Sequence, residues 1–229
     1  MKLLAVDTAT EICGVALAVD GHVSAELILS SGETHTRCVM GAIQALLSVS
    51  GLAVSDIDLF AVTRGPGSFT GLRIGISTVK GLALASGAPM VGISSLDVIA
   101  HQAGGGTPLV CALLDARRNE VYWCLYRRDG ETLVRQKDER VGRADDIAMY
   151  IDDTCLFIGN GVPPYRKVFE NCLERRAVFA GPHANSIRPA VMARLAWERY
   201  QAGQLDDVST FAPVYLRKSD AELNSTRSL

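Results

Sequence analysis

The sequence predicts an α/β protein with a duplicated fold, in which two halves each stack helices and a mixed sheet in three layers. A short apolar strand ending in aspartate, a polar turn and a hairpin closed by Asp-Gly occur twice. Asp7 precedes the first Asp-Gly turn by thirteen residues, and Asp115 precedes the second by fourteen. Helix and strand patterns alternate after each hairpin, which is typical of α/β crossovers. The glycine run at 104–106 marks the predicted boundary.

The first half, residues 1–105, is predicted to carry five strands and two long helices. The strands are expected at 3–6, 15–19, 23–29, 59–63 and 90–93, and the helices at 34–50 and 70–86.

The smaller second half, residues 106–185, repeats this order. Its strands are expected at 109–114, 121–126, 131–135, 155–159 and 177–179, and its helices at 143–151 and 164–173. A last helix at 189–202 starts at a proline and belongs to a segment, 186–217, that returns to the first half. The polar tail at 218–229 lacks periodicity and is predicted to be disordered.

A glycine-rich turn joins the fourth strand to the second long helix. Gly65 and Gly67 can take positive φ, Pro66 fixes the bend, and Ser68 or Thr70 can cap the helix. Such a turn suits either an anion or a closely packed neighbour at the helix N-terminus, and both interpretations stay open. It lacks the Gly-Lys-Ser/Thr of a P-loop and the pattern of a nucleophile elbow.

The two long helices of the first half have small, uncharged residues where surface helices usually carry charges. The first has a predicted core stripe of Val39, Met40, Ile43, Leu46 and Leu47. We predict a face covered by another protein chain, although core packing could use the same small ridge. The predicted interface residues are Arg37, Gly41, Ala45, Ser48, Gly71, Arg73, Gly75, Thr78 and Leu82.

The composition excludes several classes of function. The net charge is −2 with basic and acidic residues well mixed, which argues against gripping nucleic acid unaided. No run of 18 apolar residues or signal peptide is visible, so a cytoplasmic protein is expected. The six cysteines form no C-x-x-C, and the four histidines form no H-x-x-x-H or H-E-x-x-H. Spacing therefore predicts no metal site.

Five motifs resemble the bacterial tRNA threonylcarbamoyladenosine biosynthesis protein TsaB family, in the same order over residues 1 to about 217. They are LLAVDTATEICGVAL, THTR, RGPGSFTGLRIG, DARRNEVYW and PVYLR. The resemblance implies the duplicated ribonuclease-H-like fold of actin, Hsp70 and sugar kinases. It also implies a non-catalytic subunit needed for N6-threonylcarbamoyladenosine at position 37 of tRNA.

The resemblance further implies partners. These are the catalytic subunit TsaD, the ATPase TsaE through the complex, and a second copy of this chain when alone. Contact with tRNA is expected to be indirect, and no membrane is involved.

By the same resemblance, Asp7 corresponds to the phosphate-loop aspartate of the superfamily, with Thr8 and Thr10 as a degenerate loop. No adenosine-binding turn is recognisable, so no cofactor is expected, and capping of the local turn is the preferred role of Asp7. Residues 94–99, where TsaD-like proteins carry metal-binding histidines, contain none.

The alternative is an independent enzyme of the same superfamily, either a small ATP-dependent kinase or a metallopeptidase. A kinase would need a phosphate loop in both halves, whereas Asp115 is followed by Ala-Arg-Arg. A peptidase would need metal ligands that the spacing does not reveal.

Overall fold

Two mixed sheets with helices on their faces make up the part of the chain that this computed structural model describes, residues 1–30 and 34–217. The predicted disordered tail at 218–229 lies outside those residues. Within these ranges, no helix is both long and apolar enough to cross a lipid bilayer.

The first sheet has the strand order β3-β2-β1-β4-β5. Its strands are β1 Lys2–Asp7, β2 Cys13–Val19, β3 His22–Leu29, β4 Leu59–Gly65 and β5 Met90–Ser94. The first three are antiparallel neighbours, whereas β4 and β5 run parallel to β1. β1 and β4 are almost wholly buried, as expected of central strands covered on both faces, while the edge strand β3 is partly exposed.

The second sheet repeats this topology. Its strands are β6 Leu109–Asp115, β7 Val121–Asp129, β8 Thr132–Arg135, β9 Arg140–Gly142, β10 Cys155–Ile158 and β11 Ala177–Phe179. The order is β11-β10-β6-β7-β8, with the short β9 paired to β7. An antiparallel hairpin followed by parallel strands therefore occurs twice, which confirms the predicted duplicated fold.

The helices complete the layers. They are α1 His35–Val49, α2 Phe69–Ser86, α3 Ser95–Ala100, α4 Ala144–Ile147, α5 Val162–Leu173 and α6 Pro189–Gln201. α1 and α2 pack side by side on one face of the first sheet, and α6 with α3 packs on the other. α4 and α5 pack together beside the second sheet, with α5 against β6 and β11. α3, which is not among the elements that the sequence predicts, also contacts β6 and β7 and so joins the halves.

Side chains from both sheets share one core. Val110 and Tyr126 of the second sheet belong to the same buried cluster as Leu4 of β1 and Met192 of α6. A second cluster, which includes Phe157, lies between the second sheet and the α4–α5 layer.

The chain after α6 returns to the first sheet and to α2. The amide of Val214 donates to the carbonyl of Arg64 at 2.7 Å. Lys80 donates to the carbonyls of Ser209 and Phe211 at 3.3 and 3.1 Å. Arg73, one heptad before Lys80 on α2, donates to the Tyr215 hydroxyl at 3.0 Å and lies 3.8 Å above the Phe69 ring. The two charges of α2 therefore hold the C-terminal segment.

Candidate functional site

The turn after β1 is built around a fully buried aspartate. Oδ1 of Asp7 accepts hydrogen bonds from the Ala9 amide at 3.0 Å and the Thr63 hydroxyl at 2.8 Å. Oδ2 is buried and has no hydrogen-bond partner among the described residues. Burial raises the pKa of Asp7 to about 6, although the hydrogen bonds from the Ala9 amide and the Thr63 hydroxyl oppose this shift. The bond to Ala9 has the geometry of an Asx turn, the capping role preferred from the sequence.

The first turns of α2 cover this aspartate turn at backbone contact distance. The Thr8 hydroxyl donates to the carbonyl of Gly71 at 2.7 Å. A Cβ added at Gly71 would lie 2.1 Å from the Thr8 carbonyl oxygen, and one added at Gly75 would lie 2.2 Å from Thr8 Oγ1. A Cβ at Gly67 would lie 2.4 Å from the Ala9 carbonyl oxygen. Three glycines thus allow α2 to close over the turn.

The glycine-rich turn is packed against its own chain. Gly65 has φ of 115°, and a Cβ there would lie 2.5 Å from the Val214 carbonyl oxygen; the peptide bond to Pro66 is cis. Ser68 is the residue that caps α2, since its hydroxyl accepts from the Gly71 amide at 3.2 Å, while Thr70 lies exposed in the first helical turn.

At this helix N-terminus, the amide of Ser68 donates to the Ala9 carbonyl at 2.7 Å. The sequence left open whether an anion or a closely packed neighbour lies at this helix N-terminus. In the structure the turn after β1 is the closely packed neighbour. Gly67 is not among the glycines with positive φ, so its part is the close approach to Ala9. Thr10, the third residue of the degenerate loop, accepts from the Ile12 amide at 3.3 Å.

The corresponding turn of the second half has the same hydrogen bond but an open environment. Oδ1 of Asp115 accepts from the Arg117 amide at 2.9 Å, two residues on, as Asp7 does from Ala9. Asp115 is exposed, and Arg117, Arg118 and Asn119 follow with φ of 59°, 54° and 62°. Of these two turns, only the one after β1 is covered by a helix.

Two residues of the predicted interface are placed inside the protomer. Gly71 and Gly75 are buried against Thr8, so the prediction that they form an exposed ridge is wrong. Spacing alone does not say which side of a nearly uncharged helix faces the sheet. Met40, assigned to the core stripe, is 37% exposed, and the smaller Ala42 is buried instead.

The remaining interface positions lie at or near the surface. Arg37, Gly41, Ala45 and Ser48 are exposed. Arg73 is exposed but engaged with the C-terminal segment, and Thr78 and Leu82 are half-buried.

Beyond the exposed Arg37 and Arg73, both helices expose a group of uncharged residues, which we call the α1–α2 surface. Its residues are Met40, Gly41, Gln44, Ala45, Ser48 and Val49 of α1 and Ser77, Gly81, Leu84 and Ala85 of α2. Val49 is 90% exposed and Leu84 is 69% exposed. Exposed apolar side chains grouped with small residues are typical of surfaces that bind another protein. Val49 and Leu84 were not predicted, although both are apolar residues lying off the core stripe.

A cavity of about 460 Å³ lies elsewhere, between β5, α3 and α6. Arg64, Ser94, Asp97, His101 and Glu198 are among its lining residues, and none of the predicted site residues lines it. Ser94 begins the histidine-free segment 94–99; its hydroxyl accepts from the amides of Leu96 and Asp97, both at 3.2 Å, and caps α3.

Two mixed sheets with the same order of antiparallel and parallel strands are the architecture of a duplicated ribonuclease-H-like protein. The family model described as "TsaD: tRNA N6-adenosine threonylcarbamoyltransferase" matches residues 27–225. The chain is 48% identical over 131 residues to the tRNA threonylcarbamoyladenosine biosynthesis protein TsaB of Escherichia coli K12, an alignment that spans 56% of each chain. It is 41% identical over 232 residues to the TsaB of Haemophilus influenzae, covering 95% of this chain and 94% of that one.

A solved structure from Pseudomonas aeruginosa, described as an uncharacterized protein with similarity to peptidase YeaZ, superposes with a TM-score of 0.81 at 31% identity. It covers 94% of this chain and 99% of that one. The chain belongs to the TsaB family, as its sequence motifs indicated.

The burial of Asp7 should appear in the pH dependence of stability. Its folded pKa of about 6 lies above the ordinary value of 3.8. Its contribution to the free energy of unfolding is therefore fully present below pH 3.8 and is lost as the pH rises through about 6, by about 3 kcal/mol. Urea unfolding at a series of pH values gives the free energy of unfolding of Asp7→Asn and of wild type. The difference between the two free energies should change by about this amount between pH 4 and pH 8. Asp115→Asn, changed at the open turn, is the control, and parallel curves for Asp7→Asn and wild type would contradict the assignment.

The contact between Gly75 and Thr8 can be tested with two alanine substitutions on the same helix. Gly75→Ala should lower the free energy of unfolding by about 1–3 kcal/mol, because its methyl group overlaps Thr8. Gly81→Ala meets nothing within 4 Å and should raise it by about 0.5–1 kcal/mol through helix propensity. Urea denaturation measures both, and equal effects at the two positions would refute the close contact.

Proposed function

We propose that this chain is a non-catalytic subunit in the biosynthesis of N6-threonylcarbamoyladenosine on tRNA, and that it pairs with and activates the catalytic subunit TsaD. The observation that carries this proposal is the α1–α2 surface. Ten exposed positions of these two packed helices carry no charge. Burying one large apolar side chain contributes about 1.5–3 kcal/mol, so covering Val49 and Leu84 favours association.

The closed turn supports a subunit without its own nucleotide chemistry. A triphosphate and its magnesium ion would need access to the Asp7 carboxylate, whereas the first turns of α2 pack on the adjacent Thr8 through Gly71 and Gly75. Asp7 is 0% exposed. The residues that resemble a phosphate loop therefore support a packing role.

We infer that the mechanism is conformational. A subunit that binds one conformation of its partner more tightly than another shifts the partner toward that conformation. In the proposed complex the α1–α2 surface binds TsaD in its active state, and TsaE and tRNA reach this chain only through the complex. The same surface would be covered by a second copy when the chain is alone. The proposed place of action is the cytoplasm.

The alternative from another class is an independent kinase or metallopeptidase. The similarity of the Pseudomonas aeruginosa protein to a peptidase is the observation that favours the latter. The purified chain should show no ATP turnover with Mg²⁺ and no peptide hydrolysis with added zinc. It should restore threonylcarbamoyl transfer to tRNA when TsaD, TsaE, the adenylate donor and the acceptor tRNA are present. Turnover by the isolated chain would favour the alternative.

Substitution on the α1–α2 surface should weaken pairing without unfolding the chain. Leu84→Glu puts a charge at a position that is 69% exposed, and desolvating that charge on association should cost more than about 2 kcal/mol. Titration calorimetry with TsaD measures the loss.

Met149→Glu is the matched control, because Met149 is 72% exposed and lies in the second half. It should bind TsaD as the wild type does. Equal affinity for wild type and Leu84→Glu would place the interface elsewhere.

A further inference from the structure

Three side chains able to ligate a metal ion meet where α1 begins against β2. The Sγ atoms of Cys13 and Cys38 and a ring nitrogen of His35 all lie within 4.8 Å of one another. Cys13 is buried and the other two are half-buried. The cluster combines the first residue of β2 with two residues one turn apart on α1.

The hydrogen bonding of His35 fixes which ring nitrogen is free. Nε2 lies 2.7 Å from the carbonyl oxygen of Thr10, which can only accept, so Nε2 carries the proton. Nδ1 then holds a lone pair, and it is buried without a hydrogen-bond partner among the described residues. Metal-binding histidines have this arrangement, in which one ring nitrogen donates to a carbonyl and the other ligates the ion.

We propose that Cys13, His35 and Cys38 form a binding site for a thiophilic divalent cation, with Zn²⁺ as the best match. Two sulfurs and one imidazole nitrogen are preferred zinc ligands, and with bond lengths of about 2.3 and 2.0 Å they would stand roughly 3.5–3.8 Å apart around a tetrahedral ion. Each thiol releases one proton to solvent on binding, so two thiolates balance the charge of the ion. The fourth position is left for water or a further ligand.

The bound ion would link three elements of the first half. It would tie β2 to the first turn of α1, and the proton on His35 would keep α1 bonded to Thr10 in the aspartate turn. α1 continues from this point into the α1–α2 surface. The site does not depend on the proposed pairing, since its ligands lie within one chain.

The full-length reduced protein, freed of metal with a chelator, should be titrated with Co²⁺ as a spectroscopic probe. We expect one Co²⁺ per chain with thiolate-to-cobalt charge-transfer absorption and tetrahedral d–d bands, displaced by one equivalent of Zn²⁺. Cys38→Ser and His35→Gln should each lower the affinity at least about 10-fold. Cys172→Ser, an exposed cysteine on α5, is the matched control and should bind as the wild type does.

Thermal melts show whether each variant is folded and whether Zn²⁺ stabilises it. Zn²⁺ should raise the Tm of wild type and Cys172→Ser, and should leave that of Cys38→Ser unchanged. If a variant does not fold, the proposal is judged on the wild type alone, by its Co²⁺ stoichiometry and its thiolate-to-cobalt charge-transfer band. Absence of one-to-one binding, or binding unaffected in a folded Cys38→Ser, overturns the proposal. So does a Cys13–Cys38 disulfide whose reduction yields a protein that binds no Co²⁺.

Discussion

The packing of α2 onto the turn after β1 determines the arrangement of the first half. Because Gly71 and Gly75 lack side chains, the helix backbone approaches Thr8 closely enough for its hydroxyl to donate to the Gly71 carbonyl at 2.7 Å. This contact places the buried side of α2 on the sheet and directs Ser77, Gly81 and Leu84 outward. The exposed apolar surface is therefore a consequence of where the glycines are used.

The same contact changes the chemistry of a turn that the fold repeats. Asp7 and Asp115 end equivalent strands and accept the same local hydrogen bond. Only Asp7 is covered by a helix, and burial raises its pKa to about 6. Asp7 is fully buried, and its second carboxylate oxygen has no hydrogen-bond partner among the described residues. Coverage by α2 thus accounts for the different environments of the two aspartates.

The sequence predicts the duplicated topology because turn chemistry and hydrophobic periodicity are local signals that each half repeats. The orientation of α2 was predicted incorrectly. A helix with only Arg73 and Lys80 charged has little polar pattern to show its outer side, and both charges bind a segment about 130–140 residues later. The cluster around His35 was missed for a related reason: its two ligands on α1 form a His-x-x-Cys pattern, but Cys13 joins them only through the tertiary fold.

The start of α1 shows why this cluster matters to the rest of the molecule. Ser68 caps α2 through its hydroxyl, whereas in the described structure Thr34 gives α1 no side-chain cap and its first turn has no acidic residue. Helix ends without such partners rely on other contacts. Here His35 supplies one by donating to Thr10, and Cys38 lies one turn along, facing Cys13. α1 runs from that junction to Met40, Ala45 and Val49, so a single helix connects the buried cluster with the exposed surface.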